Sequence, residues 1–175
     1  TEARVNNGWL IFLLPIGGLL IATIYKGLRV TSIGTADIFE TVRNNKKVSP
    51  LLLPAIFISS VITHLFGGSA GREGAAIQIG GSLAALFNKL FKMQEKNRHI
   101  LILCGISAVF SAVFTTPITA SIFAVEVISI GYLYSSAIFP CLISSSTAYF
   151  VSLKLGSTPE RFLLTKTPVL DVKTI

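Results

Sequence analysis

One glutamate stands inside a glycine-rich break between two apolar runs, in the stretch Gly67-Gly68-Ser69-Ala70-Gly71-Arg72-Glu73-Gly74-Ala75. Four glycines in eight residues let the backbone take conformations that other residues resist and let a ligand approach the main chain closely. The pattern beyond the break predicts a helix from about Glu73 to Phe91. A helix start directs free N–H groups and the positive end of its dipole outward, which makes an anion site without a lysine. An anion that must leave again is better held by such partial charges than by a full cation. Glu73 falls in the first turn, where its carboxylate can occupy the same amide cradle as an anion and vacates it on protonation. The spacing permits a second reading, a capping glutamate paired with Arg72 at an interface.

The elements around this break must suit an apolar solvent. The chain has 175 residues, of which 51% are hydrophobic and 13% charged, and its mean hydropathy is +0.72. Soluble domains carry roughly 25% charged residues, so half that fraction leaves too little polar surface to face water on every side. The lipid bilayer is the expected surrounding. The net charge of +7 is gathered in clusters, Lys26 and Arg29, then Arg43, Lys46 and Lys47, then Lys89, Lys92, Lys96 and Arg98. Each cluster ends an apolar segment, as membrane topology favours. No basic stripe interleaved with aromatics appears, which argues against nucleic acid as a partner. Cys104 and Cys141 both lie in apolar runs and read as packing residues rather than a disulfide framework. No Ser/His/Asp set, metal-ligand cluster or phosphate loop is present, so neither an enzyme nor a cofactor or metal site is expected.

The expected fold class is all-α, a polytopic membrane protein with seven short, broken helices of unequal length. Trp9 to Tyr25 is a near-continuous apolar run, at the lower limit of the ~20 residues that span hydrocarbon. Ala36 to Arg43 reads as a short amphipathic helix, and Leu51 to Phe66 as an apolar one with Pro54 in its first turn. After the glycine-rich break and its helix, His99 to Val113 is apolar up to a stop at Thr115-Thr116-Pro117. Helices from Pro117 to about Ile130 and from Tyr132 to Leu153 complete the series, and beyond Gly156 the composition turns polar. Breaks at membrane depth are tolerated where protein or a water-filled cavity surrounds them, a pattern of channels and transporters.

Two stretches carry a family likeness. Gly71-Arg72-Glu73-Gly74, followed by Ile77-Gln78-Ile79-Gly80-Gly81, resembles the Gly-Lys/Arg-Glu-Gly-Pro motif of the CLC family of chloride channels and anion/proton antiporters. Gly105 to Val127 is similar to that family's Gly-x-x-Ala-x-x-x-x-x-Phe-x-x-Pro-x-x-x-x-x-Phe-x-x-Glu segment, and the two lie at the family's separation. The resemblance implies half of an inverted-repeat architecture. Residues 1–156 would form the first repeat without its opening helix, and 157–175 a polar linker toward a second repeat. It implies transport of chloride or fluoride with protons in the cell membrane, by a homodimer paired through the segments at Pro117 to Ile130 and Tyr132 to Leu153. Glu73 takes the place of the proton-sensitive gate, with Gly71, Arg72, Gly74 and Ala75 around an anion.

Three departures bear on which anion. Ala75 stands where the family usually has Pro, a mild change. The family's first anion loop, Gly-Ser-Gly-Ile-Pro, aligns with Ser32-Ile33-Gly34-Thr35-Ala36, so Ile33 falls where the anion-contacting serine is expected, with Ser32, Ile33 and Gly34 as the candidate ligands. The second, inner glutamate common in proton-transferring members is replaced by Val127, after Glu126. The absence of the inner glutamate resembles both the channel branch and the fluoride/proton antiporter branch, which also alters the first anion loop, and together the two changes tilt the reading toward fluoride. Glu126 itself reads as a buried capping carboxylate, His64 as a packing histidine and Gln78 as a packing hydrogen-bonder. A pore-less membrane scaffold is the competing class.

Overall fold

The computed structural model describes residues 12–28, 34–43, 48–68, 71–93, 97–128 and 135–158. Within them the chain is all-helical, with seven α-helices: α1 (Leu14–Gly27), α2 (Thr35–Arg43), α3 (Leu52–Leu65), α4 (Arg72–Phe91), α5 (Arg98–Phe114), α6 (Pro117–Ile128) and α7 (Ser135–Lys154). No strand occurs among the described residues. Helix α5 is the hub, packing against α4, α6 and α7, while α3 and α2 lie against α4 and α1 against α3.

The breaks fall where local chemistry stops a helix. Helix α3 closes at Gly67, whose φ of 77° is open to glycine at little cost. There Gly67 N–H reaches His64 O at 3.1 Å and Gly68 N–H reaches Thr63 O at 2.7 Å. Helix α5 ends at Thr115, left-handed at φ 55°, with its N–H on Ser111 O at 2.8 Å. Pro117 then opens α6, at a position where its missing N–H costs nothing. Phe110 holds this corner together, with its ring 4.4 Å from Phe114 and 4.5 Å from Phe123 between centroids.

Small residues set the helix spacing. At the α4–α5 crossing, a Cβ on Gly80 would lie 2.6 Å from Gly105 O and from Ile106 Cα, and a Cβ on Gly105 would collide with Gly80 O. The two backbones therefore touch, as membrane helices do where small residues meet. Between α5 and α7 the glue is serine. Ser111 Oγ donates to Ser145 O at 2.8 Å, Ser107 Oγ to Cys141 O at 3.2 Å, and Ser144 Oγ to Cys104 O at 3.0 Å. Ser107 and Ser111 are fully buried, so these bonds satisfy hydroxyls that have no water to turn to, and the buried Ser145 Oγ donates within α7 to Leu142 O at 3.1 Å. Around this polar seam lies an apolar core that includes Ile38, Leu52, Leu103, Ile106 and Val125.

The outer surface is strongly apolar. Phe57, Leu65, Ile118, Phe139, Ile143, Phe150 and Val151 are all exposed, a distribution unlike that of a soluble monomer. Helix α7 alone among the described helices is both long and apolar enough to cross a bilayer, whereas α1, α3, α5 and α6 are apolar but shorter.

The backbone contact between α4 and α5 generates a clear expectation. Gly105→Ala should destabilise the intact protein by about 1–3 kcal/mol through overpacking. Gly18→Ala, at a position with open space around it, should be neutral. Thermal inactivation followed by size-exclusion in detergent reads both, and equal stability of the two variants would contradict the close crossing.

Candidate functional site

Helix α4 begins at Arg72 after Gly71, whose extended backbone (φ −65°, ψ 133°) turns the chain into the helix. No side chain caps this start. The first N–H groups of α4 therefore have no intrahelical acceptor and carry the positive end of the dipole. Glu73 lies in that first turn, is exposed, and makes no hydrogen bond or ion pair within the described residues. Among the described residues nothing encloses it in the apolar setting that its sequence neighbours suggest.

A second helix start lies beside it. A Cβ on Gly74 would sit 3.5 Å from Thr35 Cγ2, at the first residue of α2, and Gly81 packs against Ile38 further along the same pair. Helices α2 and α4 thus run side by side in the same direction, with both N-termini at one end. Two positive helix ends converge next to one carboxylate. This pairing brings Gly34, which precedes α2, to the neighbourhood of Gly74. Ser32 and Ile33 lie outside the described residues.

The remaining candidates divide between two faces of α4. Gly71, Arg72 and Ala75 line a largely apolar cavity of about 510 Å³ between α3, α4 and α5, together with Phe57, His64 and Val113. Gly74 faces α2 instead. His64, read from the sequence as a packing residue, is exposed, with its Nδ1 2.7 Å from Ser60 O. No sequence signal distinguishes such a histidine, since only the fold brings Leu65 and Arg72 to one cavity. Glu126 also differs from expectation: it is exposed on α6 rather than buried, while its neighbours Ala124 and Val125 are buried. Among the described residues no group of three or more His, Cys, Asp or Glu side chains could hold a metal ion.

Residues 17–173 match the profile of the voltage-gated chloride channel family. The chain belongs to the CLC family. It is similar to the chloride/fluoride channel protein of Pseudomonas syringae pv. tomato, 36% identical over 94% of this chain and 37% of that protein. An uncharacterized protein of Methanocaldococcus jannaschii is 26% identical over 93% of this chain and 41% of its own length. The H(+)/Cl(−) exchange transporter ClcA of Citrobacter koseri is 29% identical over 69% and 24%. The chain thus spans about two fifths or less of the length of these relatives. Membership in a channel family accounts for the exposed apolar surface and makes this CLC chain a membrane protein.

The convergence of the two helix starts can be tested directly. With Thr35→Cys and Gly74→Cys together, mild oxidation should form an α2–α4 cross-link within the chain, visible as a mobility shift that reductant reverses. Failure to cross-link while both thiols react with maleimide would place the helix starts apart.

Proposed function

We propose that this CLC chain forms the first inverted repeat of a multi-pass transporter that moves an inorganic anion across the cell membrane, with Glu73 as its proton-sensitive gate. Residues 1–156 would form the repeat, and 157–175 would lead toward a second one. The observation that carries the reading is the Glu73 carboxylate in the first turn of α4, without a hydrogen bond or ion pair among the described residues, beside the start of α2. An anionic carboxylate and a permeating anion compete for the same amide groups. Protonation removes the carboxylate from the competition and couples a proton to the anion path. The anion ligands are the main-chain N–H groups of Gly71, Arg72, Gly74 and Ala75, with Ser32, Ile33 and Gly34 contributing from the α2 side.

Fluoride is the favoured substrate. Val127 replaces the inner glutamate, the first anion loop departs from the family pattern, and the chloride/fluoride channel protein shares 36% identity with this chain. Proton-coupled chloride exchange is the second reading, favoured by the similarity to the H(+)/Cl(−) exchange transporters. Efflux of fluoride against chloride from proteoliposomes decides between them. In the same vesicles Glu73→Gln should mimic the protonated gate, abolishing proton movement and pH dependence while anion passage persists. Unchanged proton-coupled transport by Glu73→Gln would sink the gate assignment. A glutamate that only caps a helix would behave otherwise, costing roughly 1–3 kcal/mol of stability on removal and yielding poorly folded protein.

The intact protein is proposed to be a homodimer. Helices α6 and α7 pack on each other and expose Ile118, Ile122, Phe139 and Ile143, an apolar surface suited to a second copy. Subunit counting by single-molecule photobleaching in liposomes should give two steps per particle. A single step throughout would refute the dimer.

A further inference from the structure

Far from Glu73, at the other end of α4, lies a second cavity of different chemistry. It occupies about 650 Å³ between the residues leading into α3, the last turn of α4 and the start of α5. Its lining includes three cationic side chains, Lys89, Lys92 and Arg98, and among the described lining residues none is acidic. Arg98 is only 8% exposed and is held by interactions within the chain, whereas Lys89 and Lys92 are exposed at the rim. The two rim lysines repel one another, and placing an anion between them offsets that repulsion.

Two more features narrow the anion. Asn88 also lines the cavity, and its buried Oδ1 finds no hydrogen-bond donor. A buried amide oxygen without a donor is costly, so the complementary ligand carries a hydroxyl as well as negative charge. The surface beside the rim is apolar: Phe87 and Phe91 stack with ring centroids 5.9 Å apart, and both are exposed, with Leu90 72% exposed between them. Soluble phosphates have no use for such a surface, but an acyl chain does. We infer that this cavity holds the headgroup of an anionic, hydroxyl-bearing phospholipid of the phosphatidylglycerol type. In this arrangement the phosphodiester lies among Lys89, Lys92 and Arg98, a glycerol hydroxyl donates to Asn88 Oδ1, and an acyl chain lies along Phe87 and Phe91. The inference rests on the membrane setting, but not on which ion is carried or on Glu73.

The test uses the delipidated intact protein and native mass spectrometry, with phosphatidylglycerol, phosphatidylcholine and soluble glycerol 1-phosphate as separate probes. Phosphatidylglycerol should be retained in preference to phosphatidylcholine. Lys89→Gln with Lys92→Gln, both at exposed positions, should weaken that retention about tenfold. Lys26→Gln, an exposed lysine at the end of α1, should leave it unchanged. Asn88→Leu should remove the preference for phosphatidylglycerol over phosphatidylmethanol, which has the same phosphodiester but no hydroxyl. Equal retention by wild type and the double variant would overturn the site. Binding of glycerol 1-phosphate as tightly as the lipid would overturn the lipid as its occupant. Anion efflux from liposomes, measured on the same preparations, keeps the two readings apart. Loss of lipid preference with transport intact supports the site, and a wild type that retains lipid but moves no anion counts against the transport reading alone.

Discussion

The contact of backbone on backbone at Gly80 and Gly105 is the constraint on which the rest of the structure depends. Side chains ordinarily keep helix axes 8–10 Å apart. Removing two Cβ atoms at one crossing lets α4 and α5 meet closely, and that contact fixes where α4 begins. The placement of Glu73 follows from it. The same principle recurs in weaker form along α5 and α7, where serines take the place of glycines and add hydrogen bonds to the opposite backbone. An apolar solvent gives no hydrophobic incentive for helices to associate, so packing of small residues and buried hydroxyl bonds must do so.

Helix α4 then joins two chemistries that would interfere if they were close. Its first turn offers helix-start N–H groups beside a second helix start and one carboxylate. Its last turn carries lysines and a cavity with no acidic residue among its described lining. At 1.5 Å per residue, twenty residues separate these ends by about 30 Å, and Coulomb energy falls with distance. An anion at the first turn therefore meets far less of the positive field than one held at the far end. The dipole adds to this separation, because cations are favoured at the C-terminus and a carboxylate at the N-terminus.

Much of this was legible in the residues. Helix boundaries followed from punctuation that acts locally: Gly67 for the left-handed turn, Thr115-Thr116-Pro117 for the end of α5 and the start of α6, and Pro54 inside the first turn of α3. Each works through its own backbone, so no tertiary knowledge was needed. Glu73 was legible for the same reason, since a carboxylate one residue into a helix after a glycine break is a local event. What escaped was long-range. The side-by-side course of α2 and α4 depends on Gly81 receiving Ile38, two positions more than forty residues apart with nothing in either to announce the other. Glu126 was read as a buried capping carboxylate, and it is exposed. Burial on α6, however, depends on which face turns to α5 and α7, and the mixed periodicity of an apolar helix does not reveal it.

The exposure of Glu73 has a further consequence. A carboxylate that serves as a gate needs an environment in which its protonated and ionised forms differ little in free energy, or a proton will not move it. Open solvent favours the ionised form, and a fully apolar pocket favours the neutral one by several pKa units. The described residues supply positive helix ends beside Glu73, which is exposed in the first turn of α4. A gate at this carboxylate, as proposed, therefore requires further protein that excludes water from the α4 start, and it is not a property of the motif alone.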